Sequence, residues 1–166
     1  MIKIEKVLVA TDFGEAADAA LHYGREFART FGAQLHVLNI VENAAMFLGP
    51  EAVGLDFARV QADIEAGAQQ ALARVVTAED REQLQAVTAI RAGGATAFEI
   101  VAYAKQAGID VIIVGTHGRG PMGHLMMGSV AEKVVRMAPC PVLTVRHPEH
   151  EFVIPDALQV LETSQR

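Results

Sequence analysis

The sequence predicts a single-domain α/β fold: an open five-stranded parallel sheet of order 3-2-1-4-5 with helices on both faces, a Rossmann-like arrangement. Three observations lead there. Short β-branched runs alternate with segments whose apolar residues recur every three or four positions, the pattern of strands joined by helices. The strand-sized runs are almost continuously apolar, as strands covered on both faces must be. Residues 111–130, VIIVGTHGRGPMGHLMMGSV, read as strand, glycine-rich loop and helix, which puts a loop at the carboxyl end of a parallel strand.

Residues 7–10, preceded by Ile2 and Ile4, form the first strand and end at Thr11-Asp12. From Gly14 the period changes. Ala17, Ala20, Leu21, Gly24, Phe27, Ala28 and Phe31 mark one helical face, and Gly32 is its C-terminal stop. Residues 35–41, LHVLNIV, make the second strand, joined to the first by a right-handed crossover. Residues 42–55 break periodicity and contain Gly49-Pro50 and Gly54, so they read as a long loop able to move over a site. Met46, Phe47 and Leu48 would be costly in free solvent, which favours a cover or an interface contact.

A long second helix is expected over 57–78, with Val60, Ile64, Ala68, Leu72 and Val75 at helical spacing. The run Glu79-Asp80-Arg81-Glu82 reads as its solvated end. Residues 84–90 give a weaker third strand at a sheet edge, and Gly93-Gly94 turn the chain. Thr96 and Glu99 match a capping box that opens the third helix, which runs to Ala107 and stops at Gly108. Residues 110–114 form the fourth strand, 129–138 the fourth helix, ended by Pro139, and 141–145, PVLTV, the fifth strand. The domain is expected to span residues 1–146. The tail, 147–166, carries an apolar patch of Phe152, Val153, Ile154, Leu158 and Leu161.

The chain of 166 residues is long enough to bury one core without staples. Its net charge of −6 and lack of a Lys/Arg cluster argue against nucleic acid, which needs a basic face. The single cysteine, Cys140, excludes an intrachain disulfide, has no metal-type Cys/His spacing around it and suits a reducing cytoplasm. The short apolar run before Asp12 predicts neither a signal peptide nor a membrane span.

In an open parallel sheet a ligand sits outside the carboxyl ends of the strands, where the strand order reverses. With order 3-2-1-4-5, strands one and four are neighbours there, so Thr11-Asp12 and Gly115-Thr116 face each other. Glycines let the backbone approach a phosphate, and a helix N-terminus favours an anion. The loop with Gly118, Gly120 and Gly123, together with the N–H groups of Gly128, Ser129 and Val130, is therefore a candidate phosphate cradle. The Ser129 hydroxyl adds a hydrogen bond and Arg119 neutralises charge. Asp12 would reach a nucleoside or a phosphate-bound metal, and Ile40 or Val41 would line a base pocket. The spacing is neither a Walker P-loop, which ends G-K-[ST], nor a G-x-G-x-x-G after the first strand. Local readings compete with these roles. Ser129 with Glu132, and Asp12 with Glu15, also match capping boxes, although the upstream glycines exceed what a turn requires. His117 and His124 read as solvated loop residues, His22 and His36 as structural, and Met122, Met126 and Met127 as packing.

Gly115-x-x-Gly118, nine residues, then Gly128-Ser129, with VATDF at 9–13, SVAEKVVR at 129–136 and APCPVL at 138–143, closely resembles the universal stress protein family. The resemblance covers 6–146. It implies a five-stranded parallel sheet, dimerisation through the last strand and, with the full glycine motif, membership of the ATP-binding group. The matching positions are Ala10, Thr11 and Asp12, then Ile40, then Val114, Gly115 and Gly118, then Gly128, Ser129 and Val130. The family often has Ser where this chain has Gly14, which removes one cap and leaves the phosphate loop intact. The function so implied is an ATP-binding stress or signalling module whose occupancy alters contacts with a protein partner, acting as a cytoplasmic homodimer. The alternatives are a slow ATPase using a divalent metal such as Mg2+, and a nucleotide-free dimeric interaction protein.

Overall fold

A computed structural model of the chain describes residues 2–44, 56–116 and 128–147. Along it run β1 (Lys6–Thr11), α1 (Glu15–Phe31), β2 (Gln34–Val41), α2 (Phe57–Val75), α3 (Ala78–Gln83), β3 (Val87–Ala92), α4 (Thr96–Ala107), β4 (Val111–Gly115), α5 (Ser129–Met137) and β5 (Val142–Val145). The strands form one sheet in the expected order β3-β2-β1-β4-β5, and every pairing is parallel. Ala10 of β1 lies opposite Leu38 on β2 and Val114 on β4, so the ends of these three strands are level with one another.

Two-residue alternation sends each strand's side chains to opposite faces. Val7, Val9, Leu35, Val37, Val111 and Ile113 pack with Ala20, Leu21 and Ala28 of α1 and Leu72 of α2. Leu8, Leu38, Ile112 and Val114 pack with Ile100 and Ala104 of α4 and Ala131 and Val134 of α5. Full burial of each such Leu, Ile or Val is worth about 1.5–3 kcal/mol, so β1 at the centre anchors both layers. Gly24 lets α1 lie close on β1, because a Cβ there would stand 2.3 Å from Val9 Cγ2. Gly32 and Gly108 end α1 and α4 in left-handed backbone, at φ 64° and 66°, as their positions after the last helical residues predict.

Local patterns misplace several boundaries. The expected helix over 57–78 ends at Val75, and a separate short helix, α3, starts after Thr77. Thr77 and Asp80 form a reciprocal capping box there: Thr77 Oγ1 accepts from the Asp80 N–H at 3.1 Å, and Asp80 Oδ2 from the Thr77 N–H at 2.9 Å. Asp80 is therefore not part of a solvated end but 2% exposed. Arg25, reaching from α1, donates Nε to Oδ1 and Nη2 to Oδ2, both at 2.8 Å, and Nη2 also to the Val75 carbonyl at 2.6 Å. β3 lies at Val87–Ala92 rather than 84–90, because Leu84 turns into the core instead. Thr96 is the first helical residue of α4, whose N-cap Ala95 has no side-chain hydrogen-bonding group, so the expected Thr96–Glu99 capping box does not form. The segments 45–55 and 148–166, with Met46, Phe47, Leu48 and the apolar tail residues, lie outside the described residues.

His36 is buried, as a structural histidine should be. Gln34 Nε2 donates to the Gln85 carbonyl at 3.2 Å, which leaves Gln34 Oε1 as the acceptor 3.1 Å from His36 Nε2. Nε2 thus carries the proton, and Nδ1 accepts from the Tyr103 hydroxyl at 2.8 Å. Burial, with a smaller contribution from the Lys6 charge, pushes the His36 pKa below its ordinary value.

Burial alone would raise the Asp80 carboxyl, but its hydrogen bonds from Arg25 and Thr77 outweigh that and hold it below its ordinary value. Asp80→Ala leaves the part-buried Arg25 guanidinium without its carboxylate and α3 uncapped, and should cost about 3 kcal/mol. Urea unfolding measures this, and a double-mutant cycle with Arg25→Met should show non-additivity. The pH dependence has a fixed sign. A depressed folded pKa means that the unfolded chain binds more protons. His36 therefore contributes stability that is present above about 6.5 and lost as pH falls below it. Asp80 contributes stability present above about 3.8 and lost as pH falls through its lower folded value. Unfolding curves across this range should show both limbs, the lower one absent in Asp80→Asn.

Candidate functional site

The carboxyl ends of β1, β2 and β4 open onto one crevice with a cavity of about 380 Å³, within the span of about 300–1,000 Å³ usual for small-molecule sites. Ala10, Thr11 and Asp12 line it from β1, Leu38, Ile40 and Glu42 from β2, and Val114, Gly115 and Thr116 from β4. Gly128, Ser129, Val130 and Ala131 close it at the start of α5, and Ala17, Thr96 and Ile100 reach it from α1 and α4. A larger concavity of about 520 Å³ runs along the outer face of α1 between His22, Tyr23 and Phe31. A single helix lines that groove, whereas six elements meet at the crevice and bring Thr11, Asp12, Glu42, Thr96, Thr116 and Ser129 to it, and such convergence is what orients a ligand.

The turn from β1 into α1 is held by its own side chains. Thr11 Oγ1 accepts from the Phe13 N–H and Asp12 Oδ1 from the Gly14 N–H, each at 3.0 Å. These bonds support Phe13 in left-handed backbone at φ 63°, a conformation that costs about 1–2 kcal/mol for a residue with a Cβ. Buried Asn39 donates Nδ2 to the Thr11 carbonyl at 2.7 Å and ties this turn to β2. Gly14, not Asp12, is the N-cap of α1, so the expected Asp12–Glu15 capping box is replaced by an Asx-type turn. One Asp12 oxygen is thereby committed to the fold.

At α5 the N-cap is Gly128, with no side-chain cap bond, and Ser129 is the first helical residue. The Ser129–Glu132 capping box is therefore absent, and Glu132 pairs with Arg136 instead, at 2.8 Å. The Gly128 N–H, expected to serve a phosphate, donates to the Thr116 carbonyl at 2.6 Å, and the Thr116 N–H to the Val145 carbonyl at 2.7 Å. Helical bonding begins with the Glu132 N–H to the Gly128 carbonyl. The N–H groups of Ser129, Val130 and Ala131 precede that bond and have no helical partner, which makes them suited to an anion.

Nine of the eleven residues singled out from the sequence share this cavity: Ala10, Thr11, Asp12, Ile40, Val114, Gly115, Gly128, Ser129 and Val130. Gly118 and Arg119, with His117, Gly120, Gly123, His124 and the loop methionines, lie outside the described residues. Leu38 and Glu42 escaped the sequence reading although they sit two residues either side of Ile40, on its face of the strand. Thr96 and Ile100 left no local signal, since only the crossing of α4 over the sheet brings them in. Gly115 has a packing role as well. A Cβ there would stand 2.8 Å from the Ala16 carbonyl carbon and oxygen, so β4 can pass under the first turn of α1 only without a side chain. Among the described residues, no group of three or more His, Cys, Asp or Glu side chains is gathered for a metal ion, and no helix is long and apolar enough to cross a membrane.

An open parallel sheet with an apolar-walled cavity at its switch point and a helix N-terminus at one side places the chain among the open-sheet α/β domains. Within that class the chain belongs to the universal stress protein family, whose sequence profile matches residues 3–146. It is 29% identical over 147 residues to a universal stress protein of Methanocaldococcus jannaschii, covering 89% of this chain and 85% of that one. The solved universal stress protein UspA of Lactobacillus plantarum superposes with a TM-score of 0.73 at 27% identity, covering 87% of this chain and 99% of that one. The universal stress protein of Archaeoglobus fulgidus, solved in complex with dAMP, shares the fold with a TM-score of 0.62 at 20% identity, covering 87% and 99%.

Gly115→Ala should displace β4 from α1 and destabilise the protein by about 1–3 kcal/mol, as overpacking does. Thermal and urea unfolding measure the loss, and unchanged stability would contradict the packing role.

Proposed function

We propose that this chain is an ATP-binding stress-response or signalling module whose nucleotide occupancy modulates its contacts with a protein partner. The observation that carries the reading is the convergence of Asp12, Ile40, Gly115 and Ser129, far apart in sequence, on one switch-point cavity. The dAMP bound by the Archaeoglobus fulgidus relative supports an adenine nucleotide as the ligand class. Phosphates would take the N–H groups of Ser129, Val130 and Ala131 with the Ser129 hydroxyl, joined by Gly118 and Arg119. Asp12 would meet the nucleoside or a phosphate-bound Mg2+ through its uncommitted oxygen, and Ile40 would line the base. Commitment of the other Asp12 oxygen to the β1–α1 turn favours binding over turnover. The module would act in the cytoplasm as a homodimer. Among the described residues β5 ends the sheet with one edge unpaired, and pairing across a two-fold axis would satisfy it.

Protein denatured directly after purification should release an adenine nucleotide identifiable by mass spectrometry, and the stripped protein should bind ATP, ADP and AMP in calorimetric titration with and without Mg2+. Ser129→Ala separates binding from folding, because Ser129 makes no cap bond. It should weaken ATP about tenfold while leaving stability within about 0.5 kcal/mol. A chain that neither releases nor binds nucleotide would make the dimeric interaction protein the better reading. Sedimentation should give a dimer mass, and a monomer at every concentration would refute strand pairing.

A further inference from the structure

Glu42 brings to the crevice a negative charge that an anionic ligand has to accommodate. It follows the end of β2, lines the cavity two residues beyond Ile40 and is exposed. Among the described residues no hydrogen bond or ion pair engages its carboxylate. Asp12, the other cavity carboxylate, already spends Oδ1 on the Gly14 N–H. Among the described residues both oxygens of Glu42 are thus available, and an ionised carboxylate can only accept.

Position decides what it can accept from. Across the crevice the strands run β4, β1, β2, and α5, whose first-turn N–H groups suit an anion, follows β4. Glu42 therefore stands two strands from the anion-favouring side, roughly 10 Å at the usual strand spacing. A phosphate brought to it would meet like charge, so the part of a nucleotide that fits there is the uncharged part bearing donors.

Resting on the nucleotide-binding reading above, we propose that Glu42 recognises the nucleoside end of the ligand, accepting hydrogen bonds from ribose hydroxyls or an exocyclic amine, and so fixes the direction in which the nucleotide lies across the crevice. The carboxylate acts by attraction at one end and exclusion at the other. Phosphates are held to the α5 side, and a ligand without donors at its nucleoside end is selected against.

Calorimetric titration of the full chain and of Glu42→Gln with adenosine and ATP tests this, with circular dichroism and Tm confirming that the exposed substitution leaves the fold unchanged. The expected result is a loss of about tenfold for adenosine and ATP alike, since a charged acceptor becomes a neutral one at the nucleoside. With 2′-deoxy-ATP the loss should vanish if the ribose supplies the donor, and with ITP if the amine does. Either outcome supports the assignment. Tighter ATP binding in Glu42→Gln, with adenosine unaffected, would put the phosphates beside Glu42 and overturn it, as would unchanged affinity for all ligands. If the unsubstituted chain binds neither adenosine nor any nucleotide, the nucleotide reading itself fails and the role of Glu42 with it.

Discussion

The close approach of β4 to the first turn of α1 governs the geometry of the crevice. Gly115 lies against the Ala16 carbonyl at a distance that a side chain would forbid, and this lets β4 pair with β1 up to Ala10 and Val114 while α1 still covers both. Were the strand held away, the Thr116 carbonyl could not receive the Gly128 N–H, and the start of α5 would lose its tether to the sheet. One missing methyl group thus governs how closely β4 approaches α1 and, through Thr116, where the start of α5 is tethered. The layers beneath are simpler. Two apolar cores on opposite faces of β1 hold the sheet rigid under the crevice, which suits a site whose ligand contacts come from loops and helix ends.

The sheet order, the parallel pairings and the helix stops at Gly32 and Gly108 were legible because each depends on a periodic or conformational signal spread over many residues. Caps were not. Thr96, Ser129 and Asp12 each satisfy a local capping pattern, yet the observed N-caps are Ala95, Gly128 and Gly14. A capping pattern is scored over four residues, while the choice of first helical residue is made by the sheet to which the helix must dock. The break between α2 and α3 was hidden for a related reason. Asp80 looks solvated within its charge run, and only Arg25, 55 positions earlier in the chain, makes it a buried partner.

The candidate site shows the same division. Strand-end residues were legible because the switch-point rule converts strand order into neighbourhood, and six of them, Ala10, Thr11, Asp12, Ile40, Val114 and Gly115, meet the start of α5 at one cavity. Thr96 and Ile100 were illegible because the path of α4 across the sheet is a tertiary fact. The glycines, read first as backbone that can approach a phosphate, prove to be divided in purpose. Gly115 is required by helix–sheet contact, and Gly128 gives its N–H to Thr116. A glycine-rich motif can therefore persist for architectural reasons, and the motif alone does not distinguish a chain that binds from one that merely folds.

Asp12 carries a further consequence. One of its oxygens steadies the turn that keeps Phe13 in left-handed backbone, and the residue also lines the cavity. Any replacement at this position disturbs architecture and recognition together, so it is pleiotropic by construction. Variation there should be narrow even in descendants that have abandoned the ligand, and the persistence of an aspartate would be poor testimony to what the crevice holds.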